Sequence, residues 1–166
     1  LHRMLLQRQA DGRPLRVGLI GAGKFGSMYL SQARRTPGVQ LVAVADLLPD
    51  KARAALVRTG WEADRLHAAS ASEAARDGTV YFCDDAQAMI AAPEVEIVID
   101  ATGSPAAGIA HVQACCRHGK HVIMVNVEAD ALAGPLLAER ARQAGIVYSL
   151  AYGDQPALIC EMVDWA

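Results

Sequence analysis

Three glycines and one aspartate have the spacing to do chemistry. Gly21, Gly23 and Gly26 occur in Gly21-Ala22-Gly23-Lys24-Phe25-Gly26, directly after the mostly apolar run Arg16-Val17-Gly18-Leu19-Ile20. This is G-x-G-x-x-G, in which each glycine has a separate task. Gly21 lets the chain leave a strand in a tight turn, Gly23 lets the backbone touch a pyrophosphate, and Gly26 lets the next helix lie close to the strand. The free N–H groups and positive dipole end of that helix favour an anion. A second strand-like run, Val39-Gln40-Leu41-Val42-Ala43-Val44-Ala45, ends at Asp46, 20 residues beyond Gly26. That is the separation expected of a carboxylate that accepts hydrogen bonds from the hydroxyls of an adenosine ribose.

Together these residues predict a dinucleotide site, with Ala22, Lys24 and Phe25 as the remaining members of the turn. Asp46 would repel a 2′-phosphate and so favours NAD over NADP, although Lys51 and Arg53 stand close enough in sequence to soften that preference. The plainer role for Asp46 is a cap on the following helix. Lys24 either lies along the pyrophosphate or is an ordinary solvated lysine.

Such a site needs strands and helices in alternation, and the chain supplies them. Strands are expected at Arg16–Ile20, Val39–Ala45, Thr79–Cys83, Val95–Thr102, His121–Val125 and Ile146–Ala151. Helical stretches follow the glycines to about Arg35, run from Pro49 to about Arg58, from Asp84 to Ala92, from Pro105 to about His118 and from about Ala131 to Ala144. Ser70-Ala71-Ser72-Glu73 is a weaker helix start, and residues 1–14 form a short amphipathic lead-in. The alternation predicts an α/β fold, a doubly wound parallel sheet with strand order 3-2-1-4-5-6 and right-handed crossovers. Residues 15–154 would be the nucleotide-binding domain, and 155–166 the start of a helix leading to a further substrate or oligomerisation region.

In an open parallel sheet, ligands sit beyond the carboxyl ends of the strands, at the switch point between strands one and four. That rule collects Thr102-Gly103-Ser104, Asn126 to Asp130 and Tyr152 to Gln155 beside the glycine turn. Thr102 and Gly103 would let a cofactor pass over the end of strand four, or form a plain loop before the helix at Pro105. Asn126 would orient a nicotinamide or a substrate through its amide, or simply turn the chain. Carbonyl reduction also needs a proton donor, and Glu128, Asp130 and Asp154 are the carboxylates that follow strands five and six. Glu128 and Asp130 could share a divalent ion, though Asp130 reads more simply as a helix N-cap. His118, Lys120 and His121 fall on the opposite edge, away from any such site.

With 166 residues, 52% hydrophobic, the chain can bury a core of its own. A formal net charge of −2 lacks the basic excess of a nucleic-acid surface. No apolar run reaches the roughly 20 residues that span a bilayer, and the first nine residues are too interrupted for a signal peptide. Cys83, Cys115, Cys116 and Cys160 lack metal or C-x-x-C spacing, and read as small buried residues of a reduced, cytoplasmic protein. Both ends look cut, so the expectation is the N-terminal part of a longer protein.

Four segments carry a wider resemblance: Arg16 to Met28, Asp100-Ala101-Thr102-Gly103-Ser104-Pro105, Val125-Asn126-Val127-Glu128-Ala129-Asp130 and Tyr152-Gly153-Asp154-Gln155-Pro156. Together they resemble homoserine dehydrogenase-like oxidoreductases with a C-terminal SAF domain. That group is similar to the 1-deoxy-D-xylulose 5-phosphate reductoisomerase-like enzymes and D-apionate oxidoisomerase. The resemblance implies an NAD(P)-binding Rossmann domain, a small-molecule substrate and a homo-oligomer in the complete protein. Homoserine dehydrogenases have an Asn-Lys pair after strand five; here Asn126 matches and Val127 replaces the lysine. Reductoisomerase-like members rearrange and reduce a keto sugar derivative, often with a divalent metal. The expected function is hydride transfer to or from a small hydroxy- or keto-compound. The alternatives are a reductoisomerase on a sugar-derived acid or phosphate and a non-catalytic NAD(P) sensor.

Overall fold

The computed structural model describes residues 1–151 and 161–166. Helix α1 (His2–Ala10) leads into β1 (Leu15–Ile20), α2 (Lys24–Ala33), β2 (Val39–Ala45), α3 (Pro49–Arg58), a single 3-10 turn (Ala63–Arg65) and α4 (Ala71–Asp77). Then come β3 (Tyr81–Cys83), α5 (Ala86–Ala91), β4 (Ile97–Asp100), α6 (Pro105–His118), β5 (His121–Met124), α7 (Val127–Gln143) and β6 (Tyr148–Leu150).

All six strands pair in parallel, in the order β3-β2-β1-β4-β5-β6. This is the expected doubly wound sheet. Consecutive strands cannot be joined by hairpins in such a sheet, so each connection crosses a face as a helix. Leu30 and Ala33 of α2 pack with Ala52, Ala55 and Leu56 of α3 on one face. Met89 and Ile90 of α5, Val112 and Cys115 of α6 and Leu137 of α7 fill the other. The central strands are covered on both sides, which is why their sequences are continuously apolar.

Local signals set most boundaries. Pro49 starts α3, and Ser70 caps α4 by accepting from the Glu73 amide at 3.1 Å. Glu73 reaches back to accept from the Ala69 amide at 3.0 Å, one residue before the cap. Ser104 caps α6, with Pro105 in its first turn, and Gly119 closes it at φ 65°.

The strand ends are shorter than their apolar runs. Strand β3 keeps only Tyr81–Cys83 and β4 only Ile97–Asp100, because pairing stops where the neighbouring strand diverges into a loop. The largest difference is α7, expected from Ala131 but starting at Val127. Its cap is Asn126, whose Oδ1 accepts from the Ala129 amide at 3.1 Å. The expectation of a cap at Asp130 is therefore corrected. That carboxylate instead accepts from the Tyr148 hydroxyl at 2.6 Å.

Cys115 is fully buried, and burial pushes its thiol up to about 12. Cys83 and Cys116 are only half-buried, and Cys160 lies outside the described residues. On the edge away from the glycine turn, Lys120 donates through Nζ to the Ala92 and Val95 carbonyls at 2.8 and 2.7 Å, closing the carboxyl end of α5. No described helix is long and apolar enough to cross a membrane.

Helices α6 and α7 meet at Gly108. A β-carbon added there would lie 2.6 Å from Asn126 Nδ2 and 2.7 Å from the Ala129 methyl. Gly108→Ala should therefore destabilise the protein by about 1–3 kcal/mol, measured as a lowered chemical-denaturation midpoint. An unchanged midpoint would show that the two helices can part without cost.

Candidate functional site at the carboxyl edge of the sheet

The glycine turn leaves β1 at Gly21, whose φ of 90° suits glycine. A β-carbon there would lie 3.0 Å from the Ala101 carbonyl, so the turn is wedged against the end of β4. At Gly26 an added β-carbon would fall on the Gly21 carbonyl oxygen. Close contact between α2 and β1 therefore depends on a bare α-carbon. Gly23 differs from both: it is exposed, and a β-carbon there would meet nothing within 4 Å. Gly23 is also the N-cap of α2, with no side chain capping the helix. The first amides of a helix have no intrahelical acceptor, and here no side chain among the described residues caps them. Open space above Gly23 and uncapped amides are what a pyrophosphate requires, and the residues fit one. Lys24 and Phe25 are exposed beside this space, and Ala22 is buried beneath it.

Asp46 stands at the end of β2, half-buried, with each carboxylate oxygen holding one backbone amide. Oδ2 accepts from Ala22 at 2.8 Å and Oδ1 from Leu48 at 2.9 Å. Leu48 is the N-cap residue of α3, so Asp46 braces the turn before that helix rather than capping it. An ionised carboxylate offers about four acceptor positions, which leaves about two for a ligand. Asp46 lines a cleft of about 260 Å³ between the ends of β1, β2 and β4, together with Gly21, Thr102, Ser104 and His111.

Beneath that cleft lies a polar cluster in the core. Asp100, the last residue of β4, is completely buried. Its Oδ1 accepts from the Thr102 amide at 2.9 Å and the Thr102 hydroxyl at 2.6 Å. Its Oδ2 pairs with His111 Nδ1 at 2.8 Å. Asn126, 1% exposed, donates through Nδ2 to Thr102 Oγ1 at 3.0 Å and to the Ser104 carbonyl at 2.8 Å. Both amide donors of Asn126 are thus spent on the loop after β4, and its oxygen on α7. In this structure the residue holds the loop and helix together, which leaves it no donor for a nicotinamide. Gly103 is exposed at the top of the same loop, with open space above it.

His111 did not stand out in the sequence, yet a signal for it existed. An aspartate ending an apolar strand and facing a covered side must find partners. His111 sits at the same face of α6 as Ser104 and Ala107, spaced by seven and four residues, so it returns to the strand end.

Glu128 occupies the first turn of α7, exposed, with no hydrogen bond or ion pair to its carboxylate among the described residues. Asp130 is tied to Tyr148, whose own hydroxyl is pushed above its ordinary range, first by burial and then by that bond. Asp154 and its neighbours in the last turn lie outside the described residues. Among the described residues no three His, Cys, Asp or Glu side chains converge as metal ligands. His118 and His121 lie at the far edge, where His121 Nδ1 accepts from the Val147 amide at 3.0 Å.

Residues 15–124 match the oxidoreductase family with the NAD-binding Rossmann fold known as GFO/IDH/MocA. The chain belongs to that family. No curated protein matches the chain. Among solved structures it is similar to an NAD-binding oxidoreductase from Klebsiella pneumoniae (20% identity, TM-score 0.62), covering 92% of this chain and 39% of that one. It is also similar to biliverdin reductase from Synechocystis sp. PCC 6803, in complex with biliverdin and NADP+ (26%, TM-score 0.57), covering 84% and 38%. A homoserine dehydrogenase from Thiobacillus denitrificans aligns at 22% identity and TM-score 0.65 over 83% of this chain and 29% of that one. The chain thus spans less than two-fifths of these structures. In this GFO/IDH/MocA domain, the matched segment runs from the first strand through β5 and includes the glycine turn, Asp46, Asp100 and His111.

The last two glycines of the turn should separate binding from folding. Gly23→Ala should leave the melting temperature within about a degree, because its β-carbon meets no protein atom, while weakening NADH binding at least tenfold. Gly26→Ala should lower both stability and binding. Equal behaviour of the two variants, in paired thermal melts and fluorescence titrations, would contradict this account of the turn.

Proposed function

We propose that this domain binds NAD in preference to NADP, for an enzyme that transfers hydride to or from a small hydroxy- or keto-compound. The supporting observation is the Asp46 carboxylate. It is fixed by the Ala22 and Leu48 amides and keeps about two acceptor positions beside the glycine turn. Two vicinal ribose hydroxyls are donors that suit such a carboxylate, whereas a 2′-phosphate would bring like charge against it. Lys51, in the first half of α3, and Arg53, whose guanidinium lies 4.6 Å from the Phe82 ring centroid, are the nearby cations named for softening that preference.

When bound, the nicotinamide supplies or accepts the hydride; the chain's own residues bind, orient and move a proton. The amides at Gly23 and the first turn of α2 would hold the pyrophosphate, while Thr102 and Gly103 would let the dinucleotide cross the end of β4. Glu128 is our candidate for the proton, being an exposed carboxylate just beyond β5, with Asp154 as its partner from the last turn. The segment from Val125 to Asp130 also supports a likeness to the homoserine dehydrogenase-like oxidoreductases with a SAF domain, while Val127, where homoserine dehydrogenases have a lysine, argues against homoserine as the substrate.

Asp46→Asn keeps the shape and removes the charge. It should weaken NADH binding about tenfold and bring the NADH and NADPH dissociation constants within about threefold of each other. A wild-type preference for NADPH would reject the assignment of Asp46. In the complete protein, Glu128→Gln should reduce kcat about 10²-fold or more with NADH affinity unchanged. Full turnover in that variant would remove Glu128 from the reaction.

A further inference from the structure

The Asp100–His111 pair has one atom that the fold does not use. A carboxylate only accepts, so the proton in the 2.8 Å contact belongs to His111 Nδ1. Thr102 donates twice to the other oxygen, which fixes the carboxylate and with it the imidazole. In the neutral ring Nε2 then carries a lone pair. Among the described residues Nε2 has no hydrogen-bond partner, and it is not sealed from solvent, although His111 is only 8% exposed. His111 lines the cleft beside Asp46. Ile20, Ala45, Ala86 and Ala107 give that cleft small apolar walls, and Asp46 stands on it. About 260 Å³ is too little for a whole dinucleotide and is the size of a subsite for one planar ring.

We propose that His111 reads the base of the coenzyme: Nε2 accepts a hydrogen bond from the exocyclic amino group of adenine, seated in this cleft next to the ribose on Asp46. The proposal rests on the dinucleotide-binding reading above. Asp100 acts as a positioning residue, setting the tautomer that makes Nε2 an acceptor. A base with a carbonyl oxygen in place of the amine would set lone pair against lone pair. Asp84, exposed at the same cleft, is a second carboxylate in the lining beside Asp46.

The test compares NADH with reduced nicotinamide hypoxanthine dinucleotide by fluorescence titration of the full chain. Wild-type protein should bind NADH at least tenfold more tightly, and His111→Phe and His111→Asn should reduce that ratio to about one. Loss of a purely structural histidine would weaken both coenzymes alike and leave the ratio standing, which would overturn the proposal. So would a ratio that collapses in Asp84→Asn and survives in the His111 variants, or a wild-type ratio near one. Imidazole 15N resonances of the unmodified protein provide a check that needs no variant. Nε2 of His111 should be unprotonated and should shift with NADH but not with reduced nicotinamide mononucleotide, which has no adenine. An Nε2 that is protonated, or that ignores NADH, would reject the contact. Failure of both dinucleotides to bind would instead reject the dinucleotide reading itself, and this inference with it.

Discussion

Asp100 is a charge-bearing side chain with no exposed surface, and the carboxyl edge of the sheet is arranged around meeting its demands. Leaving a buried carboxylate unpaired costs several kcal/mol, so each neighbour that donates to it is held in place. His111 ties α6 to the end of β4, and the Thr102 amide and hydroxyl fold the loop back over the strand. The backbone carbonyl of Asp100 adds two more ties, accepting from Val125 at 2.8 Å and Asn126 at 3.1 Å. Asn126 in turn caps α7 and grips Thr102 and the Ser104 carbonyl. One residue thus sets the loop after β4, the exit from β5 and the starts of two helices.

The glycine turn is positioned against this frame by steric contact rather than charge. Gly21 abuts the Ala101 carbonyl, and Gly26 abuts Gly21 itself. Asp46 joins the turn from the other side through the Ala22 amide. The cleft between β1, β2 and β4 is therefore walled by three elements that cannot shift independently, which is the pre-organisation that a binding site needs.

The sheet and its switch point were legible because they rest on patterns the sequence states directly. Continuous apolar runs mark strands covered on both faces, and the glycine spacing and Asp46 follow from backbone geometry. The helix boundary at α7 was misjudged because Asn126 and Asp130 are both good cap residues. Their choice was settled by Tyr148, far along the chain, which draws the Asp130 carboxylate away. His111 was missed for a similar reason. A histidine on a helix has no local signature, and its meaning depends on a strand-end carboxylate that only the tertiary fold brings within 2.8 Å. Short-range rules find groups that act through the main chain; those that act through long-range side-chain pairing appear only once the chain is folded.

The space above Gly23 has a wider consequence. On the reading proposed above, the grip there would be made of main-chain amides, the same whatever side chains surround them, whereas discrimination at the ribose would fall on a single carboxylate. Such a division would make coenzyme preference easy to retune and phosphate attachment hard to lose: one substitution at the end of β2 could alter the former, while the latter would tolerate nearly any change that spares the bare α-carbons.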